Sequence, residues 1–176
     1  MLRKNFDYNL QVLRSDVLRM GNIVEKQIHE SIKALINQNE ELAQKIIVKD
    51  DLVDELQKEI EYKCVKLIAK EQPLAEDLRF IFTTIKIVTD LERMADHAVD
   101  ICKIAILLKN EKYIKELINI PKISEIVKIM IEKVLEAYVS KDINKCYYVC
   151  KMDDDIDGLY RKTFDELIDI MRKLHN

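Results

Sequence analysis

Apolar residues recur every three or four positions along most of this chain, the spacing of helices packed in a bundle. From about Phe6 to Asn37 the positions Phe6, Leu10, Leu13, Val17, Met20 and Val24 form one such seam. Asn37-Gln38-Asn39-Glu40 interrupts it with polar residues, and Asn39 is suited to cap a following helix. The second predicted helix carries Ala43, Ile46, Val53, Ile60, Cys64 and Leu67 on one stripe. It ends near Gln72-Pro73, because proline disfavours a helical residue before it. Pro73 in turn suits the start of a third helix, whose seam is Leu78, Ile81, Ile85, Val88, Ala95, Val99, Cys102 and Ile106. Periodicity fades between about Lys109 and Ile120. A fourth helix follows from Pro121 to about Ser140, with Ile123, Val127, Met130, Val134 and Tyr138 inside. A fifth starts near Asp142, with Val149, Ile156, Thr163, Leu167 and Ile170 inside.

The short connections make sequential helices antiparallel. The expected fold class is therefore all-α: a three-helix bundle over 1–108, a connector over 109–120, and a helical hairpin over 121–176. The hairpin reads as a copy of the first two helices. Ala34 aligns with Ala137, Ile46 with Val149, and Asp50-Asp51-Leu52-Val53-Asp54 with Asp153-Asp154-Asp155-Ile156-Asp157. Acidic and apolar positions match together, which favours duplication. The second copy has no counterpart of the third helix, since the sequence ends at Asn176, where that helix would begin. An apolar stripe left without a partner usually marks an interface, so a homodimer or a domain swap is expected.

Composition narrows the classes further. Two glycines and two prolines leave little for the turns of a hairpin-rich β fold. Charged residues make up 35% and apolar residues 48%, a mixture that suits amphipathic helices. The net charge is -3 with no gathered run of Lys or Arg, so nucleic acid is not an expected partner. No apolar run approaches the ~20 residues that span a bilayer, so no membrane insertion is expected. The N-terminus is charged too early for a signal peptide, and a cytoplasmic protein is expected. Cys64, Cys102, Cys146 and Cys150 lack the spacing of zinc knuckles and read as core or near-core residues in a reducing compartment.

Candidate chemistry comes from acids that break the seams. Asp50 sits between Ile46 and Val53, Glu92 between Val88 and Ala95, and Asp153 between Val149 and Ile156. Each has a companion four residues on, namely Asp54, Asp96 and Asp157, and Asp100 follows Asp96 by the same step. That spacing puts like charges on one side of a helix, where they repel unless something compensates. Reflected about the turn at Gln72, Asp50 and Asp54 lie about five to six turns before it and Glu92 and Asp96 about as far after. The four carboxylates thus fall at similar heights. All-oxygen sets favour hard cations such as magnesium, calcium, manganese or iron. The competing account pairs the acids with Arg79, Arg93, Lys49 or Lys58. His97 follows Asp96, but Glu-x-x-His, the di-iron pattern, is absent because Met94 stands three before it. No glycine-rich phosphate loop, serine nucleophile pattern or HExxH occurs, so no catalytic residues are assigned.

Gln72-Pro73-Leu74-Ala75-Glu76-Asp77-Leu78-Arg79, followed by Thr89-Asp90-Leu91-Glu92-Arg93-Met94-Ala95-Asp96-His97-Ala98-Val99, resembles the hallmark helix of the PhoU family. Met20-Gly21-Asn22-Ile23-Val24-Glu25 resembles that family's first helix. The resemblance implies two similar three-helix repeats, the second incomplete here. It implies metal binding by Asp/Glu-x-x-x-Asp pairs, matched here by Asp50 with Asp54, Glu92 with Asp96, and Asp153 with Asp157. Iron, manganese, magnesium or zinc is the expected ion. It also implies a non-enzymatic regulator that restrains phosphate uptake and the phosphate-starvation response. The expected partners are the ATPase of the phosphate-specific ABC transporter and a sensor histidine kinase. The sequence departs from the family in lacking a second Asp-Leu-Glu-Arg-x-x-Asp-His helix, and in carrying Asp100 where the family often has asparagine. A helical metal-binding scaffold that serves a different transporter or partner is the alternative. An enzyme with a carboxylate-bridged metal is a weaker third reading.

Overall fold

The computed structural model describes residues 2–174, with side chains from residue 4 onward. Its described residues form six helices and no strand: α1 (Leu2–Asn37), α2 (Glu40–Lys49), α3 (Asp51–Glu71), α4 (Ala75–Leu107), α5 (Asn119–Ser140) and α6 (Ile143–Leu174). They divide into two compact units, Met1–Lys112 and Tyr113–Asn176.

In the first unit α1, the α2–α3 arm and α4 pack as an antiparallel three-layer bundle. The α1 seam is buried from Phe6 through Val24 to Ala34. It meets Ala43 and Ile46 of α2, Val53, Ile60 and Cys64 of α3, and Ile81, Val88, Ala95 and Cys102 of α4. Each large apolar side chain withdrawn from water contributes about 1.5–3 kcal/mol. Burial pushes the Cys64 thiol up to about 12 and the Cys102 thiol up to about 11, so both act as small apolar groups.

The arm expected to be one helix is divided at Asp50. Asp50 keeps helical dihedrals, but its N–H donates to Ile47 O (3.3 Å) and its carbonyl accepts from Val53 N–H (2.7 Å), both three residues away. The tighter winding falls where a carboxylate replaces an apolar residue in the seam, and aspartate is itself a poor helix former.

Three turns are closed by non-glycine residues with left-handed backbone: Gln38 (φ 50°), Gln72 (φ 45°) and Lys141 (φ 54°). After α1, Asn39 N–H donates to Ala34 O (2.9 Å); after α5, Asp142 N–H donates to Ala137 O (3.1 Å). Asn39 Oδ1 then accepts from Leu42 N–H, and Asp142 Oδ1 from Asn144 N–H. Matching helix closures and caps thus recur at the positions that align as an internal repeat.

The second unit is an antiparallel hairpin of α5 and α6. Ile131, Leu135 and Ala137 of α5 are buried, whereas α6 buries no residue fully. Lys115 pairs with Glu166, and Asn119 Nδ2 donates to Thr163 Oγ1 (3.0 Å). Cys146 and Cys150, expected in or near a core, are exposed on α6, because a two-helix hairpin covers only one stripe of each helix.

A candidate metal-binding carboxylate site

The four acids expected at one height lie near enough to act on one another's charge. The carboxyl of Asp50 is raised to about 6, first by burial, then by the charges of Asp54, Asp96, Glu92 and Asp51. Glu92 is raised as well, by burial and then by Asp96 and Asp54, with Arg93 opposing. Two helices deliver these groups because α3 and α4 are antiparallel about the Gln72 turn, so equal distances from it meet.

Basic side chains act on the set without pairing with it: Lys103 on Asp96 and Asp50, and Arg93 on Glu92. Arg93 pairs with Asp90 (3.5 Å), and Arg79 Nε reaches the carbonyl of Ala75. Among the described residues none of Asp50, Asp54, Glu92 and Asp96 forms an ion pair with Lys or Arg. Asp50 Oδ1 is buried and accepts no hydrogen bond from them either. An anionic oxygen in that position is costly and would be relieved by a cation. The donor set thus fits a hard ion bound through oxygen. No three His, Cys, Asp or Glu side chains among the described residues already converge as a coordination shell.

The other acids stand apart. Asp100 pairs with Lys103 (2.9 Å) and is absent from the groups that act on Asp50 and Glu92. In the second unit Asp153 and Asp157 are exposed on α6, and Asp157 pairs with Arg161 (3.4 Å). The apolar seam that sequence placed around Asp153 is therefore not enclosed in this hairpin. His97 is exposed. One acid that sequence reasoning missed is Glu61, seven residues beyond Asp54 on the same side of α3. It raises Glu92 and is held by Gln57 Nε2 (3.3 Å) and Thr89 Oγ1 (3.5 Å).

The described residues form an all-helical bundle with acidic side chains gathered on adjacent helices, which defines the class of fold. The PhoU domain pattern matches residues 17–105 and 120–176. The chain belongs to the PhoU family, whose members are accessory regulatory proteins and not enzymes. It is 52% identical to the "Phosphate-specific transport system accessory protein PhoU homolog" of Clostridium acetobutylicum, covering 97% of this chain and 78% of that protein. It is 40% identical to the protein of the same description from Aquifex aeolicus, over 90% of this chain and 72% of that one. Its fold superposes on the crystal structure of PhoU from Pseudomonas aeruginosa with TM-score 0.91 at 32% identity, over 96% of this chain and 81% of that one.

Proposed function

We propose that this chain regulates phosphate uptake and the phosphate-starvation response, by metal-dependent contact with the ATPase of a phosphate-specific ABC transporter and with a sensor histidine kinase. The description its relatives carry supports the phosphate role. The observation that supports metal dependence is the quartet of Asp50, Asp54, Glu92 and Asp96, which form no ion pair among the described residues and among which Asp50 is raised. A hard cation held by these residues would cancel their repulsion and fasten the α2–α3 arm to α4. No helix among the described residues is long and apolar enough to cross a membrane. The proposed place of action is the cytoplasmic face of the transporter, where its ATPase lies.

The test is affinity capture of the chain from its own cells, grown with abundant and with scarce phosphate. Recovery of the ATPase or the kinase, in amounts that change with phosphate, is expected. Glu92→Gln with Asp96→Asn should reduce bound metal by at least about tenfold with helicity unchanged, and should diminish that recovery. Capture of neither partner under either condition would reject the phosphate reading in favour of a scaffold serving another transporter. Unchanged metal content in the double variant would reject the site.

A further inference from the structure

A third helix, α1, carries a buried polar residue at the height of the carboxylate site. Ala34, Ala43, Ile46, Cys102 and Ala105 form one buried cluster, which fixes the relative heights of α1, α2 and α4. Moving seven residues, two turns or about 10.5 Å, toward the same end of the bundle takes Ala34 to Gln27, Ala43 to Asp50 and Cys102 to Ala95, beside Asp96. Gln27 and Asp50 therefore occupy one layer of the bundle, each in the inward seam of its helix.

Gln27 is only 5% exposed. Its Oε1 and Nε2 are both buried and make no hydrogen bond among the described residues. Its polar seam neighbour Ser31 is satisfied, donating to Ile28 O (2.8 Å). One layer thus holds three orphaned polar atoms, the two of Gln27 and Asp50 Oδ1. Buried polar atoms are otherwise almost always partnered, and those that are not point to an ion or water in their midst. A primary amide suits the position. Its nitrogen can donate to Asp50, and its neutral oxygen can face a hard cation or a cation-bound water without adding a fifth negative charge.

We propose that Gln27 is the α1 member of the carboxylate site, a positioning residue whose amide binds Asp50 and a cation-bound water, so that the ion ties α1 to the α2–α3 arm and α4. This rests on the metal reading above. The experiment is equilibrium dialysis of the full chain against Mn2+, with thermal unfolding of the metal-free protein alongside. Gln27→Met, close in shape but apolar, should weaken Mn2+ binding about tenfold while leaving the metal-free Tm unchanged or raised. Gln27→Glu, which keeps an oxygen there, should hold Mn2+ at least as tightly as the wild type. Unchanged affinity in Gln27→Met overturns the proposal. So does weakened binding in both variants with a matching loss of Tm, which would mark a packing role. If the wild type shows no Mn2+ binding that Asp50→Asn with Glu92→Gln abolishes, the metal reading itself fails and this proposal falls with it.

Discussion

Asp50 occupies a seam position that an apolar residue would fill in an uninterrupted helix pair, and it bends the local winding and raises its own proton affinity. With its carboxyl raised from 3.8 to about 6, the folded chain keeps a proton that the unfolded chain releases between those values. The site's contribution to stability is full below about pH 4 and is lost as pH rises through about 6. Urea unfolding in the presence of a chelator should show this slope, and Asp50→Asn should reduce it, leaving the part that the raised Glu92 contributes. The same substitution should raise stability at pH 7 by on the order of 1 kcal/mol, a figure already reduced for solvent screening of a partly exposed group. Equal pH slopes in the two proteins would show that neither burial nor the neighbouring charges raise Asp50. Metal affinity should rise with pH through the same window, because the ion displaces the Asp50 proton.

Among the elements, the turns carry the strain. Gln72 ends α3 in the left-handed region, its N–H donating to Ile68 O (3.2 Å), where a side chain is disfavoured and glycine is not. Its side chain is exposed, so Gln72→Gly should stabilise the chain by about 0.5–1 kcal/mol, measured by thermal denaturation. The same change at Gln38 should give less, because Gln38 Nε2 donates to Leu108 O and Glu111 O (each 2.6 Å), binding the end of α4 to the first turn. The repeated closures after α1 and α5 explain why the two hairpins align in sequence: the turn and cap residues are held by local backbone hydrogen bonds, which do not depend on what packs beside them.

For the molecule as a whole, the second unit leaves Tyr160 and Phe164 exposed, one turn apart on the same side of α6. We propose that this face mediates self-association, since adjacent exposed aromatic side chains are the composition of an interface core. Light scattering at micromolar concentration should give a dimer, and Tyr160→Glu with Phe164→Glu should return it to a monomer. A monomeric wild type would dismiss the idea.

The all-helical class, the antiparallel order of the first unit and the level of four acids were legible in the sequence. Periodicity reports which face is buried, and helical rise converts residue counts into heights. The place of the Gln72 turn followed from Pro73, whose ring restricts the residue before it. What sequence could not separate was which seam acids are enclosed. Asp50 and Asp153 have the same local pattern, yet Asp50 lies within a three-layer bundle and Asp153 is exposed on a two-helix hairpin. Nor could it show that Asp100 and Asp157 find cations on their own helices, in Lys103 and Arg161, or that Gln27 lies level with Asp50. A seam position is a property of one helix, fixed by its sequence. Desolvation and the company of other charges depend on how many helices close over that position, and only the tertiary structure decides that.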